Sequence, residues 1–455
     1  MNTFKSWVIL ITLFITIPII GIITSILVSQ SNTQVNLGYI SWATLLFSCL
    51  SLLLIPLLSN ATKKNRKALF YLFRPGLFLS QIISAVLVVA NSAILVFSIY
   101  FLESFYAGRV HIFLIGIISL VAIFAAFIVC VKALTPIKKA EARILGKSLS
   151  KKDFPILWKF IESIAERVGT TPPNSIIVGM EPNFFVTEAK VICLDGEMKG
   201  KSLYLSLPFC RVLTHEELTA IIGHEMGHFV GEDTLWSRKF YPIYRGSTET
   251  LYTLYSSSTS EKEENNNGLI QLVFLPSLYF MSFFISSFEK AEKEISRERE
   301  LNADRIGVKI TSPQIMAKGL LKAHIYPHAW QYTQEKMIEA LENGKQLINI
   351  STFFCSICEL IPPDFMKDNI GKSRTSHPTD SHPPLTERLN AMGIQLSEIY
   401  TDGIKPPIEN LAIELISDSS KIEEELSEIE HYRLVQSGII TPKVATDAST
   451  NNPSK

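Results

Sequence analysis

Apolar positions crowd the first third of the chain and thin out after it. Four uncharged stretches, Trp7 to Val28, Tyr39 to Leu58, Leu77 to Leu102 and Ile112 to Val131, are each long enough to cross a bilayer, whose hydrocarbon core takes about 20 apolar residues as a helix. The first exceeds the usual apolar region of a secretory signal and lacks a small-x-small cleavage site, so it reads as an uncleaved anchor. Basic residues mark alternate connections. Lys5 precedes the first span, Lys63, Lys64, Arg66, Lys67 and Arg74 fill the second connection, and Lys132, Lys138, Lys139 and Arg143 follow the fourth. By the positive-inside rule both ends of this unit, residues 1–137, face the cytoplasm, and so does the domain that follows.

From about Lys138 the pattern becomes that of a soluble domain, residues 138–392. Phe154, Leu157, Phe160, Ile161 and Ile164 repeat with helical spacing over Asp153 to Val168, and Gly169 with Pro172-Pro173 stops that helix. Ser175 to Val178, Asn183 to Thr187 and Ser202 to Leu207 read as short strands of a small sheet. An exposed sheet edge can pair with extended peptide of almost any sequence through its backbone, and Phe184, Phe185, Val186 and Thr187 are assigned that role.

The next helix carries the chemistry. Thr214 and Glu217 form a capping box, hydroxyl and carboxylate each meeting a free backbone amide, so the helix starts near His215. Leu218, Ile221 and Ile222 give it an apolar side. His224 and His228, four apart, project from one face within reach of a single ion. Glu225 is turned from them by roughly 100°, beside the ion and able to act as base toward an attacking water. This is the His-Glu-x-x-His arrangement of zinc peptidases.

The third ligand is not in the same helix, because Thr234 stands where an extended motif of this kind would place a histidine. A polar low-complexity run, residues 256–268, reads as a mobile loop. Leu269 to Phe288 is a further apolar segment with no partner span between Phe229 and Gly268. For anything after it to reach His224 and His228, it must be buried, re-entrant or interfacial. Glu300 and Asp304, four apart on the charged helix that follows, share a face, and so do Glu294 and Glu298; spacing alone does not choose between the pairs.

The 455 residues are 47% hydrophobic with a formal net charge of zero, and no basic domain points to nucleic acid. Six cysteines at irregular spacing fit a reducing compartment better than a disulfide scaffold. Cys355 and Cys358 form a lone Cys-x-x-Cys and read as helix-face residues. His215, His324, His328 and His431 have no ligand-like neighbours and are expected at the surface.

His224-Glu-Met-Gly-His228, then Ser296-Arg-Glu-Arg-Glu-Leu-Asn-Ala-Asp304, then Ser381-His-Pro-Pro-Leu-Thr-Glu-Arg-Leu389 resemble, in order, the motifs of the HtpX-like membrane zinc metallopeptidases. These are gluzincins, of the same clan as the CAAX prenyl endopeptidases. The resemblance spans roughly Lys138 to Met392. It implies that Glu300 is the third zinc ligand, that Asp304 supports the ligand set, and that His382 stabilises an oxyanion. Arg388 is expected to form a structural salt bridge. Pro182-Asn183-Phe184-Phe185 resembles the family's edge-strand motif, with Phe184 where a small residue is common, which predicts a narrower cleft. Four spans before the domain, with one apolar segment between the zinc motifs, depart from the usual layout of a helix pair between them.

The reading is a mainly α protein: four N-terminal transmembrane helices followed by an α+β zincin-like gluzincin domain with a small sheet. Residues 393–438 are an accessory region whose helix, Ser419 to Gln436, has a solvated acidic face, and 439–455 a disordered tail. The expected function is zinc-dependent endopeptidase action, one Zn2+ per chain, on extended segments of membrane or misfolded proteins, from a bacterial inner membrane with the catalytic domain in the cytoplasm. A membrane scaffold with structural zinc and a prenyl-protein-processing endopeptidase are the alternatives.

Overall fold

A computed structural model describes residues 8, 10–28, 32–62, 66–113, 115–117, 119–121, 123–124, 127, 142–230, 243–244, 246–248, 268–361 and 383–438. The chain divides into two compact units, residues 1–139 with 239–295 and residues 140–238 with 296–455.

The first unit is helical. A π-helical turn at Thr12–Thr16 leads into α1 (Ile17–Leu27), followed by α2 (Asn32–Thr62) and α3 (Arg66–Leu102), which ends in a second π turn at Glu103–Ala107. Among the described residues, Asn36–Thr62 and Tyr71–Ala107 are long and apolar enough to cross a membrane. They contain the second and third predicted spans. The first is present as the shorter apolar helix Phe14–Leu27, and nine of the twenty residues of the fourth lie outside the described residues. A Cβ on Gly21 would stand 2.3 Å from Ser41 Oγ and 2.5 Å from Ile94 Cγ2. Three helices therefore meet at a glycine, the close backbone approach that holds helices together where lipid removes any hydrophobic drive.

The apolar segment 269–288 opens one continuous 43-residue helix, Gly268–Ile310. Phe280, Phe284 and Phe288 are buried within the first unit. Phe280 meets Phe14 edge-on, and Phe284 and Phe288 lie against Phe73, ring centroids 5.6 to 5.8 Å apart.

The second unit opens with strands. β2 (Gly146–Leu149), β3 (Ser175–Gly179), β7 (Ser202–Ser206) and β4 (Phe185–Thr187) form one sheet in that order, with β3 and β7 parallel and β4 at an edge. β1 (Ala142–Arg143), β5 (Val191–Cys193) and β6 (Gly196–Met198) form a second. The β5–β6 hairpin turns on Gly196 at φ 108°, open to glycine and strained for other residues. The centres of β3, Ile176-Ile177-Val178, and of β7, Leu203-Tyr204-Leu205, are continuous apolar runs because both faces of these strands are buried.

Helices pack around this sheet. α4 (Pro155–Val168) has proline in its first turn and ends on left-handed Gly169. α5 (Leu207–Val212) leads into α6 (His215–Gly227), and α7 is the helix Gly268–Ile310. α8 (Pro313–Glu342) and α9 (Ile350–Leu360) follow, then α10 (Leu385–Ala391), α11 (Leu396–Gly403) and α12 (Ser419–Gln436). Tyr326 on α8 and Phe354 on α9 close the core over Phe209 on α5.

α12 packs into the same core. Ile422, Leu426 and Leu434 join the cluster that contains Leu218 and Ile222 of α6. Its acidic face is divided: Glu424, Glu425 and Glu428 are exposed, while Glu423 and Glu430 are buried. Arg211 donates to Glu423 through Nε at 2.7 Å and Nη2 at 2.5 Å, and Asn349 Nδ2 adds a third bond at 2.8 Å. His431, expected at the surface, is 3% exposed. Glu430 pairs with Arg433 three residues on in the same helix, but a helix read from its own pattern does not show that the partner groups of Glu423 lie more than 70 residues away.

Candidate metal centre

α6 is fixed at its start. Thr214 Oγ1 accepts from Glu217 N at 3.1 Å and Glu217 Oε2 accepts from Thr214 N at 2.9 Å, completing the capping box. The same Oε2 accepts from buried Lys322 Nζ at 2.8 Å, which ties the helix start to α8. Just before it, Thr214 bridges to Leu411, with His215 N donating to Asn410 O and Ala412 N to Leu213 O.

Glycines let α7 approach. A Cβ on Gly223 would stand 2.2 Å from Ile310 Cδ1, and one on Gly307 would stand 2.9 Å from the Ala220 carbonyl oxygen. The close packing brings three side chains together. His224 Nε2 lies 3.5 Å from Glu300 Oε2, and His228 Nε2 lies 3.3 Å from Glu300 Oε1. Among the described residues this trio is the group whose ligand atoms, all within 4.8 Å of one another, could hold a metal ion. Glu294 and Glu298, the other pair with the same spacing, are exposed.

The trio is supported from behind. Asp304 Oδ1 stands 2.9 Å from His224 Nδ1, so that nitrogen carries a proton and Nε2, on the Glu300 side, is the atom that can hold a metal. Arg388 donates to both Asp304 oxygens, Nη2 to Oδ1 at 2.6 Å and Nε to Oδ2 at 2.8 Å. The expected salt bridge of Arg388 is thus a bidentate clamp on the carboxylate that orients His224. Glu225, next to His224 in the chain, is half-buried.

Charge follows from these contacts. Burial holds the His228 imidazole neutral, its pKa lowered to about 4. Burial also opposes charge on His224, but Asp304 and Glu300 outweigh it and push its pKa up to about 10. Burial would raise the Asp304 pKa, yet Arg388 and His224 hold it well below the usual carboxylate range. A bound divalent cation would supply the positive charge that His224 otherwise provides.

The donor set fits zinc. Ligand atoms about 2.0–2.1 Å from a tetrahedral centre stand about 3.3–3.5 Å from one another, which is the spacing of the two histidine–carboxylate contacts. Two imidazoles and one carboxylate also leave a fourth position, as in catalytic zinc sites.

Of the other predicted site residues, His382 lies outside the described residues, as does the loop 256–267. Phe185, Val186 and Thr187 form the edge strand β4, antiparallel to β7. Phe185 stacks on Tyr204 at 4.9 Å. Phe184 does not narrow a cleft: its ring turns into the core, 6.0 Å from that of Phe209, and it is 5% exposed. Strand alternation explains the difference, since neighbours in a strand face opposite ways.

Residues 181–393 match peptidase family M48. A protease HtpX homolog of Methanocaldococcus jannaschii is 30% identical over 263 residues, covering 54% of this chain and 77% of that protein. The chain belongs to the HtpX-like M48 metallopeptidases. A second member, the protease HtpX homolog of Archaeoglobus fulgidus, is 26% identical over 317 residues, 69% of this chain and 85% of its own length. Protease HtpX of Legionella pneumophila is 24% identical over 217 residues, 45% of this chain and 74% of that protein. No solved structure matches. The family assignment makes the chain a membrane-associated metalloprotease, and the His224, His228 and Glu300 cluster falls inside the matched region.

Proposed function

We propose that this is a multi-pass zinc endopeptidase, with its catalytic domain in the cytoplasm of a bacterial cell, that cleaves extended segments of membrane or misfolded proteins. One observation carries the reading: two imidazole nitrogens, each at a tetrahedral separation from one oxygen of the same Glu300 carboxylate, on a helix that carries the His-Glu-x-x-His pattern.

His224, His228 and Glu300 would hold the zinc, which when bound supplies a Lewis acid for a peptide carbonyl and acidifies water. Asp304, clamped by Arg388, keeps His224 in the tautomer whose Nε2 is a ligand. Glu225 takes a proton from the attacking water and returns it to the leaving amine. The unpaired side of β4 holds substrate backbone as an added strand, which selects extended chain over folded domains. His382 stabilises the oxyanion.

The test compares wild type with Glu225→Gln, both zinc-loaded in detergent, on an unfolded protein and on self-cleavage. The variant should keep its zinc and lose roughly 10²–10⁴-fold in rate. Equal rates in both proteins would reject Glu225 as base. Zinc in both with hydrolysis in neither would favour a scaffold with structural metal.

A further inference from the structure

The second histidine ligand sits where a helix is least secure. α6 ends at Gly227, His228 is its C-cap, and the next amides close only short turns, Phe229 N to Met226 O and Val230 N to Gly227 O. Last-turn carbonyls have no helical partner, and such ends fray unless something holds them. Lys201 stands against this end of the helix.

Lys201 lies in the turn between β6 and β7 and is 7% exposed, an unusual place for an ammonium group. Its Nζ donates to Thr170 Oγ1 at 3.1 Å, to the Thr171 carbonyl at 3.0 Å and to Thr171 Oγ1 at 3.1 Å. It also stands 5.0 Å from the centroid of the Phe229 ring, within cation–π range. Phe229 directly follows His228. Lys201 directly precedes Ser202, which pairs with Thr187 of the edge strand. One side chain thus joins the turn after α4, the sheet that carries the edge strand, and the end of the metal helix. Its charge also has the sign that a helix C-terminus favours.

We infer that Lys201 is a positioning residue: through the Phe229 ring it fixes the last turn of α6, and so the direction of His228 toward His224 and Glu300. This rests on the metal-centre reading for its consequence, but not for the clamp. Charge and length both matter. Lys201→Met keeps the aliphatic stem and removes the cation and the three donors. Lys201→Arg keeps a cation that can lie over the ring and still reach oxygen acceptors.

The experiment uses the full chain in detergent micelles and two readouts. The first is amide hydrogen exchange of the metal-free protein. Lys201→Met should speed exchange at residues 228–230 and leave 218–222 unchanged, and Lys201→Arg should restore wild-type protection. The second is Zn2+ affinity by chelator competition, with the visible spectrum of the Co2+ form. Lys201→Met should weaken Zn2+ binding about tenfold or more, as loss of a group that orients a ligand does, and lower the intensity of the Co2+ bands. Phe229→Leu should produce the same change, and the double variant should add little to either. Unchanged exchange at 228–230 would overturn the clamp. A thermal shift with wild-type Zn2+ affinity and Co2+ spectrum would make Lys201 merely structural and overturn its role toward His228. Failure of wild type to take up either metal would instead reject the metal-centre reading, and the exchange result would still decide the clamp.

Discussion

Arg388 touches Asp304 with two N–H groups and has its Nη2 3.9 Å from Glu300, so one planar cation faces both carboxylates of α7. Lysine at this position offers a point charge and no fork, and cannot hold both Asp304 oxygens in one plane. Arg388→Lys is therefore expected to fold, but to bind Zn2+ about 10–100-fold more weakly, measured by chelator competition. Wild-type affinity would make the clamp irrelevant to the metal. Asp304→Asn tests the same line one step closer. An amide can accept from His224 Nδ1 but leaves Arg388 buried without its counter-charge, so the loss in affinity should be at least as large and accompanied by a lower thermal midpoint. At this scale the sequence was partly legible. His224, Glu225 and His228 follow from helical spacing alone. Glu300 does not, since Glu298 has the same kind of partner four residues away, and only packing against α6 turns one inward and the other out. Lys201 carried no sequence signal at all, because its partners are backbone oxygen, threonines and an aromatic ring brought together by the fold.

Among the elements, α12 shows how a correct local assignment can miss a role. Its limits, Ser419–Gln436, match the periodic pattern, yet the pattern cannot say that Glu423 will be buried against Arg211. Removing one partner of such a pair leaves a desolvated charge. Glu423→Ala is expected to cost at least about 2 kcal/mol of stability, read as a lower urea midpoint, whereas Glu424→Ala, on the exposed side, should change it little. His431 on the same helix supplies a pH dependence. Burial lowers its pKa, against the pull of Glu430 and Glu428, and its Nε2 has no hydrogen-bond partner among the described residues. Its folded pKa lies below the unfolded value near 6.5, so below that pH the unfolded chain binds a proton that the folded one resists. Its contribution is present above pH 6.5 and is lost on acidification. The wild-type thermal midpoint should fall more between pH 7 and pH 5 than that of His431→Phe. Parallel curves would show that His431 does not titrate differently in the two states.

At the scale of the whole molecule, the apolar stretches were legible because nothing in a bilayer competes with intrachain hydrogen bonds, which makes length and hydropathy sufficient to mark a helix. What they leave open is which side each connection faces. The segment 269–288 could be read three ways for the same reason: its pattern says apolar, and only Phe14 and Phe73 say against what. Orientation reduces to a single crossing. Exposed Arg109 lies between α3 and the fourth apolar stretch, and exposed Lys151 lies beyond it at the start of the second unit. If residues 112–131 cross the membrane once, these two positions are on opposite sides, and the proposed orientation, by the positive-inside rule, has Lys151 in the cytoplasm. Single Arg109→Cys and Lys151→Cys variants, each compared with the parent to subtract its own cysteines, settle it with a membrane-impermeant maleimide. In sealed right-side-out vesicles Arg109→Cys should label and Lys151→Cys should not; in inverted vesicles the pattern should reverse. Labelling of both from one face would mean that the fourth stretch does not span. The opposite pattern would place His224, His228 and Glu300 on the outer side, where the substrates would be exported chains and not the membrane and misfolded proteins of the cytoplasm.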